Sequence, residues 1–252
     1  VLSYRLSIIT RKPVVWGLPL SYSIEPTNLC NLKCPECPSG LGTLTRAKGL
    51  MNFDFFKEIV DEIARTGFYI QLYFQGEPYL NKHLPGMINY AKEKNIYVSV
   101  STNGTFITGK NVDTIINSEP DKLIFSIDGM DEESYQVYRQ GGTFKRADEG
   151  LKLLIEKKQS LRKKKPFIEL QFIVMKHNEH QIDEVFEYGK KLKVDKVLLK
   201  TVQISNKDNF NTLLPVNEKY RRYELKNGDV RLKGKIKNQC FALWRTSVIT
   251  WD

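Results

Sequence analysis

Polar and apolar residues alternate along six short runs of the chain, at 21–27, 69–75, 97–103, 122–128, 167–175 and 196–202. Alternation at period two marks a β-strand whose faces differ. Loops follow the runs, and then come stretches with apolar positions at helical spacing, over 53–66, 82–94, 108–117, 144–160 and 179–193. Asn52 and Asn178 stand where N-caps belong. Strands alternating with helices imply parallel pairing through crossovers. The fold class is therefore α/β, as a partial (β/α)6 barrel or a doubly wound sheet. A helix over 2–11 is expected to pack across the bottom of a barrel.

The two faces of the strands help choose between these. One face reads polar throughout: Ser23, Glu25 and Thr27; Gln71, Tyr73 and Gln75; Ser99, Ser101 and Asn103; Ser126 and Asp128; Glu169 and Gln171; then Lys200. The other carries Ile24, then Ile70, Leu72 and Phe74, and so on to Val197 and Leu199. A doubly wound sheet is apolar on both faces, and a closed eight-stranded barrel fills its interior with branched side chains. A buried polar group without a partner costs about 1–3 kcal/mol, so the polar face is expected to meet water or a large polar ligand.

Composition alters this picture little. The 252 residues are 41% hydrophobic, enough for a substantial core. The net charge of +10 suits an anionic partner, but much of the excess lies in 157–165, where a solvated helix end accounts for it. Nucleic acid is a minority reading. No apolar run reaches the roughly 20 residues of a membrane span, and no signal-peptide pattern opens the chain, so a cytoplasmic location is expected. The chain opens on Val1 and stops at Trp251-Asp252 directly after an apolar run, and it reads as a fragment of a longer protein.

Chemistry enters with the cysteines. Cys30, Cys34 and Cys37 crowd into eight residues of the loop after the first strand, spaced C-x3-C-x2-C. Clustered thiols point to metal rather than to a disulfide framework. A structural zinc ion needs a fourth ligand, and His83, His177 and His180 are all distant in sequence. A four-iron cluster with one iron left open to an exogenous ligand needs only three.

At this point the sequence resembles the radical S-adenosylmethionine (radical SAM) enzymes. Gln75-Gly76-Glu77-Pro78 is similar to their GGEP motif, the segment 99–104 to their STNG-type segment, and Ser126-Ile127-Asp128-Gly129 to their SIDG segment. All three lie at the ends of successive strands. The resemblance implies a TIM-like partial barrel in which Cys30, Cys34 and Cys37 hold a [4Fe-4S] cluster and SAM chelates the fourth iron. It further implies reductive cleavage of SAM to a 5′-deoxyadenosyl radical that abstracts hydrogen from a substrate. Gly76, Glu77, Ser101, Asn103, Ser126 and Asp128 are the implied SAM residues, with Arg139 a candidate partner for its carboxylate. Two positions depart from the family pattern: Glu36 replaces the usual aromatic before the third cysteine, and Gln75 replaces the first glycine of GGEP.

Cys240-Phe241-Ala242-Leu243-Trp244, followed by 248–252, resembles the opening of a SPASM extension, whose cysteines bind auxiliary [4Fe-4S] clusters. Cys240 is then one auxiliary ligand; taken alone it would be a buried free thiol. The organisation expected is an N-terminal extension over 1–20, the radical SAM barrel over 21–202, and a linker with the start of a SPASM-like region over 203–252. The stretch 203–239 matches nothing recognisable and reads as a partly irregular connection. The resemblance implies a peptide or protein side chain as substrate, a small metabolite as the next choice, and an electron donor such as a flavodoxin or ferredoxin. Glu169, Gln171 and Lys200 are candidates to face the substrate. A reading of another class is a zinc-stabilised α/β module that binds nucleic acid.

Overall fold

A computed structural model describes residues 2–226, 229–234 and 240–252. Strands β1 (Ser21–Ile24), β2 (Tyr69–Leu72), β3 (Tyr97–Thr102), β4 (Lys122–Ser126), β5 (Phe167–Val174) and β6 (Lys196–Thr201) follow the six predicted runs. A hairpin of β7 (Tyr223–Lys226) and β8 (Asp229–Leu232) follows, and the last strand is β9 (Thr246–Ile249). The main sheet is parallel throughout, in the order β6-β5-β4-β3-β2-β1-β9. From β1 to β6 every crossover steps to the next position in one direction, as in a barrel, with no reversal of order as in a doubly wound sheet. The seventh strand was not foreseen: four residues, Thr246-Ser247-Val248-Ile249, are too short a run for period two to declare itself.

The helices cover one face of this sheet. Helix Phe53–Ile63 buries Phe56, Ile59, Val60 and Ile63, a stripe at 3.6-residue spacing, and Asn52 caps it by accepting from the Asp54 and Phe55 amides. Helix Leu84–Glu93 turns in Leu84, Met87, Ile88 and Ala91 in the same way, and helix Phe144–Ser160 turns in Ala147, Leu151 and Leu154. They meet Ile24, Ile70, Leu72, Val98, Val100, Leu123, Phe125 and Leu170, all fully buried. Each such side chain contributes roughly 1.5–3 kcal/mol of hydrophobic stabilisation. The apolar face is thus the helix side, and the polar positions face the other way.

Several expectations are corrected. Strands β1 and β2 stop short of Thr27 and Gln75 because the chain turns towards the loops there, so alternation does not extend to Phe74, which is 48% exposed on the other side. Glu25 and Thr27 bond to the following loop instead, through Arg46 at 2.5 Å and the Gly49 carbonyl at 2.6 Å. Asn178 makes no side-chain cap. Its amide accepts from the Met175 N–H and donates to the Asp128 and Ile173 carbonyls, locking the turn after β5. A helix over Glu132–Tyr138 went unpredicted although its capping box, Asp131 with Ser134, is visible in the sequence.

The N-terminal helix, Leu2–Thr10, packs Tyr4 against Phe241 and Trp244. Leu20 donates to the Arg245 carbonyl, so this contact lies at the N-terminal ends of β1 and β9, the bottom of the sheet. The stretch 203–239 is more ordered than expected. It holds a short helix, Phe210–Leu213, and the β7–β8 hairpin; residues 227–228 and 235–239 lie outside the described residues. Val202, Ile204, Leu213 and Tyr223 form a second small core with Leu32, Cys34, Tyr138 and Met175.

Candidate active site: a cysteine-lined cavity at the strand ends

The loop after β1 is held mainly by its backbone. Leu29 accepts from the Glu77 amide at 2.8 Å, Lys33 donates to the Gln140 carbonyl at 2.7 Å, and Cys37 donates to Cys34 at 3.1 Å. Gly76 stands at φ +75°, and a Cβ there would lie 2.5 Å from the Thr27 carbonyl and 2.6 Å from that of Leu29. Only glycine lets the end of β2 approach the cysteine loop this closely. Gln75 joins the same junction: its side-chain Oε1 accepts from Ser39 Oγ at 3.1 Å, and Ser39 Oγ accepts from the Gly76 amide.

The three sulfurs line a cavity of about 370 Å³ at the C-terminal ends of the strands. Gly76, Glu77, Ser101, Asn103, Ser126 and Arg139 line it too, as does Gln171. Six of the seven SAM residues expected from the sequence, and one substrate-facing candidate, therefore surround one space. Tyr73, Phe74, Thr102, Tyr138 and Ile173 complete the wall. Of these, Tyr138 and Ile173 carried no sequence signal, since an aromatic or aliphatic residue near a strand end is ordinarily core.

Four of the expected residues lie elsewhere. Asp128 is fully buried behind the wall; its Oδ1 accepts from the Ile173 amide at 2.7 Å and its Oδ2 from Arg139 Nε at 2.6 Å. It orients Arg139 and does not line the cavity. Glu169 is buried lower in the sheet, paired with Lys122 at 2.9 Å and Lys196 at 3.3 Å. Burial alone would raise its carboxyl, but those two ammonium groups hold it below the usual range. Lys200 is exposed on the edge strand β6, outside the cavity. Cys240 is exposed, not buried, and precedes β9 at the bottom of the sheet, opposite the other three cysteines.

Electrostatics around the thiols are specific. Burial pushes the Cys30 thiol up to about 11, and it raises Cys34 as well, against the opposing charge of Arg139. Burial would depress Arg139, but Asp128 and then Cys34 more than offset this and hold it cationic. Glu77 is likewise raised by burial, opposed by the Asn103 amide and the Thr102 hydroxyl. Thiols in such a setting become thiolates when a metal's positive charge compensates for lost water.

The donors fit a [4Fe-4S] cluster and SAM. The three cysteines are free and share one cavity wall. Among the described residues no three His, Cys, Asp or Glu side chains are set to hold one metal ion. A four-iron cluster takes one thiolate on each of three separate irons, so its ligands need not converge on a point. Beside the sulfurs, Glu77 and Arg139 offer opposite charges and Ser101, Asn103 and Ser126 neutral donors and acceptors, suiting a zwitterionic nucleoside.

Comparison with known proteins identifies the class. The model of the radical SAM superfamily matches residues 24–189, and the chain belongs to that superfamily, whose enzymes use a [4Fe-4S] cluster and SAM. The AdoMet-dependent heme synthase of Methanosarcina barkeri is 30% identical over 67% of this chain and 46% of its own length. The tungsten-containing aldehyde ferredoxin oxidoreductase cofactor-modifying protein of Pyrococcus furiosus is 26% identical over 70% of this chain and 49% of its own. The chain thus spans about half the length of these curated relatives. Streptococcus suis SuiB bound to S-adenosylmethionine shares the fold with a TM-score of 0.63, at 19% identity, over 77% of this chain and 43% of that one. SuiB has also been solved bound to its precursor peptide SuiA.

Proposed function

We propose that this chain is the catalytic portion of a radical SAM enzyme, with Cys30, Cys34 and Cys37 as cluster ligands and Gly76, Glu77, Ser101, Asn103, Ser126 and Arg139 around SAM. The observation that carries the reading is the convergence of these nine residues, from the ends of four successive strands and their loops, on one cavity. When bound, the cluster and SAM supply one-electron cleavage of SAM and hydrogen abstraction from the substrate. The chain's own part is to bind, orient and shield. The Gly76 backbone and Glu77 offer acceptors for an ammonium, and Arg139, aimed by Asp128, offers a cation for a carboxylate. Tyr138, Ile173 and Phe74 limit water at the wall.

For the substrate we favour a peptide or protein side chain. The lining groups not assigned to SAM are neutral: Tyr73, Phe74, Thr102, Tyr138, Gln171 and Ile173. The heme synthase among the relatives favours a second reading, a tetrapyrrole or other small metabolite. Tetrapyrrole carboxylates ask for cations, and the one cation among the described residues of this wall, Arg139, is already assigned to the carboxylate of SAM. The division into an N-terminal extension over 1–20, a barrel over 21–202 and a SPASM-like region from 203 is part of the same reading. Cys240 is then one ligand of an auxiliary cluster whose other ligands lie outside this sequence, and a flavodoxin or ferredoxin is the electron donor.

The test is anaerobic reconstitution of the full-length protein. About four irons per primary cluster and release of 5′-deoxyadenosine on reduction with SAM are expected, with both lost in Cys34→Ala. Failure of the wild-type protein to cleave SAM would overturn the proposal.

A further inference from the structure

We infer that Glu36 is a positioning residue that latches the segment 204–214 over the cysteine loop and thereby shields the cluster site from solvent. The inference rests on the reading of the three cysteines as cluster ligands. Glu36 lies between Cys34 and Cys37, where an aromatic ring was expected from the family pattern. Its carboxylate does not reach into the cavity. Its Oε2 accepts from the Ser205 amide at 2.6 Å and the Asn206 amide at 3.4 Å, and its Oε1 accepts from Asn209 Nδ2 at 2.6 Å. Three donors from the chain just past β6 converge on one acceptor-only group. An aromatic side chain would satisfy none of them.

The segment so held has the make-up of a cover. Ile204 and Leu213 are buried in one cluster with Leu32, Cys34 and Tyr138, and Phe210 and Leu214 pack against that cluster, as do Cys30 and Cys37. Its two ends are tied down independently. Tyr223 Oη both accepts from the Ile204 amide at 3.0 Å and donates to its carbonyl at 3.1 Å, and Leu213 accepts from the Lys176 amide. Glu36 closes the remaining side with hydrogen bonds to an ionised acceptor, the stronger kind. With the latch open, the stretch 205–209 between these ties is held by packing alone and lifts more readily from the sulfurs, admitting solvent and dioxygen.

The experiment compares wild type with Glu36→Ala, Glu36→Gln and Asn209→Asp. Glutamine keeps one oxygen for the Ser205 amide, and Asn209 can turn its own amide over to meet the new donor, so Glu36→Gln is expected to retain the latch. Asn209→Asp sets carboxylate against carboxylate without altering the cysteine loop, which keeps the test open if Glu36→Ala folds poorly. Hydrogen exchange at Ser205 and Asn206 is expected to rise about tenfold in Glu36→Ala and Asn209→Asp, and to stay within about twofold of wild type in Glu36→Gln. Exchange across 98–100 of β3 should not change. After anaerobic reconstitution, bleaching of the cluster absorbance in air should quicken roughly three- to tenfold in the same two variants only. Unchanged exchange at 205–206 in Glu36→Ala overturns the latch, and faster exchange with unchanged bleaching overturns the shielding. A wild-type chain that takes up no iron overturns the cluster reading instead.

Discussion

At the scale of single residues, the site depends on carboxylates whose partners are donors brought from elsewhere. Glu77 is the clearest case: Thr102 Oγ1 donates to it at 2.8 Å, the Tyr79 amide at 3.3 Å and the Asn103 amide at 2.8 Å. Three donors and no acceptor face this buried group. Glu77→Gln turns an N–H towards one backbone amide and is expected to cost about 1–3 kcal/mol in urea unfolding, whether or not SAM is present. That the cysteines, Gly76 and Asn103 share one cavity was legible in the sequence, because clustered thiols point to metal and the segments around the other two resemble family motifs at strand ends. The place of Asp128 was not, because its carboxylate is claimed by Arg139, eleven positions later, and by a backbone amide of β5. Which of two polar neighbours reaches a cavity depends on tertiary contacts that no local pattern records.

At the scale of elements, the period of the strands was readable wherever one face is packed under helices, and failed where a strand turns out of the sheet. Phe74 and Thr27 lie beyond such turns. The lower end of the sheet is held by Asp121, which accepts from Lys92 and Lys165 and from the Val98 amide at 2.8 Å. Burial would raise this carboxyl, but the two lysines and the amide outweigh it and hold it below its ordinary value. A lowered folded-state value gives stability that is present above the unfolded value, about 3.9, and is lost as pH falls through the folded one. Both lysines keep partial water contact, which limits the effect. Asp121→Asn is therefore expected to lower stability by about 1–2 kcal/mol at pH 7. The gap from wild type should close below about pH 4 in thermal unfolding followed across pH.

At the scale of the whole molecule, the chain joins its two ends of sequence at the bottom of the sheet and its chemistry at the top. Trp244 links them below, donating from Nε1 to the Val14 carbonyl at 2.9 Å while its ring meets Tyr4. Trp244→Ala is expected to release the N-terminal helix, seen as at least about tenfold faster exchange over 2–10, with 122–126 of β4 unchanged. The class of fold followed from the sequence, since alternating β and α implies parallel strands joined by right-handed crossovers, and the polar face favoured a barrel over a doubly wound sheet. The added strand β9 and the cover at 204–214 did not, because each is short and takes its place from what it packs on, the edge of the main sheet for one and the second core for the other.

The cysteine loop is fixed to its neighbours through Glu77 N to Leu29 O, Lys33 N to Gln140 O and Met51 N to Pro26 O, every one a main-chain pair. Main-chain atoms are the same in every residue, so these ties are blind to mutation except where a proline removes a donor or a Cβ intrudes, as it would at Gly76. Drift can then rewrite the side chains at 33 and 35 while the three sulfurs stay where they are, whereas Asn31 and Glu36 carry side-chain ties of their own, to Asn103 and Thr105 and to Ser205 and Asn209. With its backbone already anchored, the loop has room for an acidic residue to settle between two cysteines and find other work there, as the tether of 205–209.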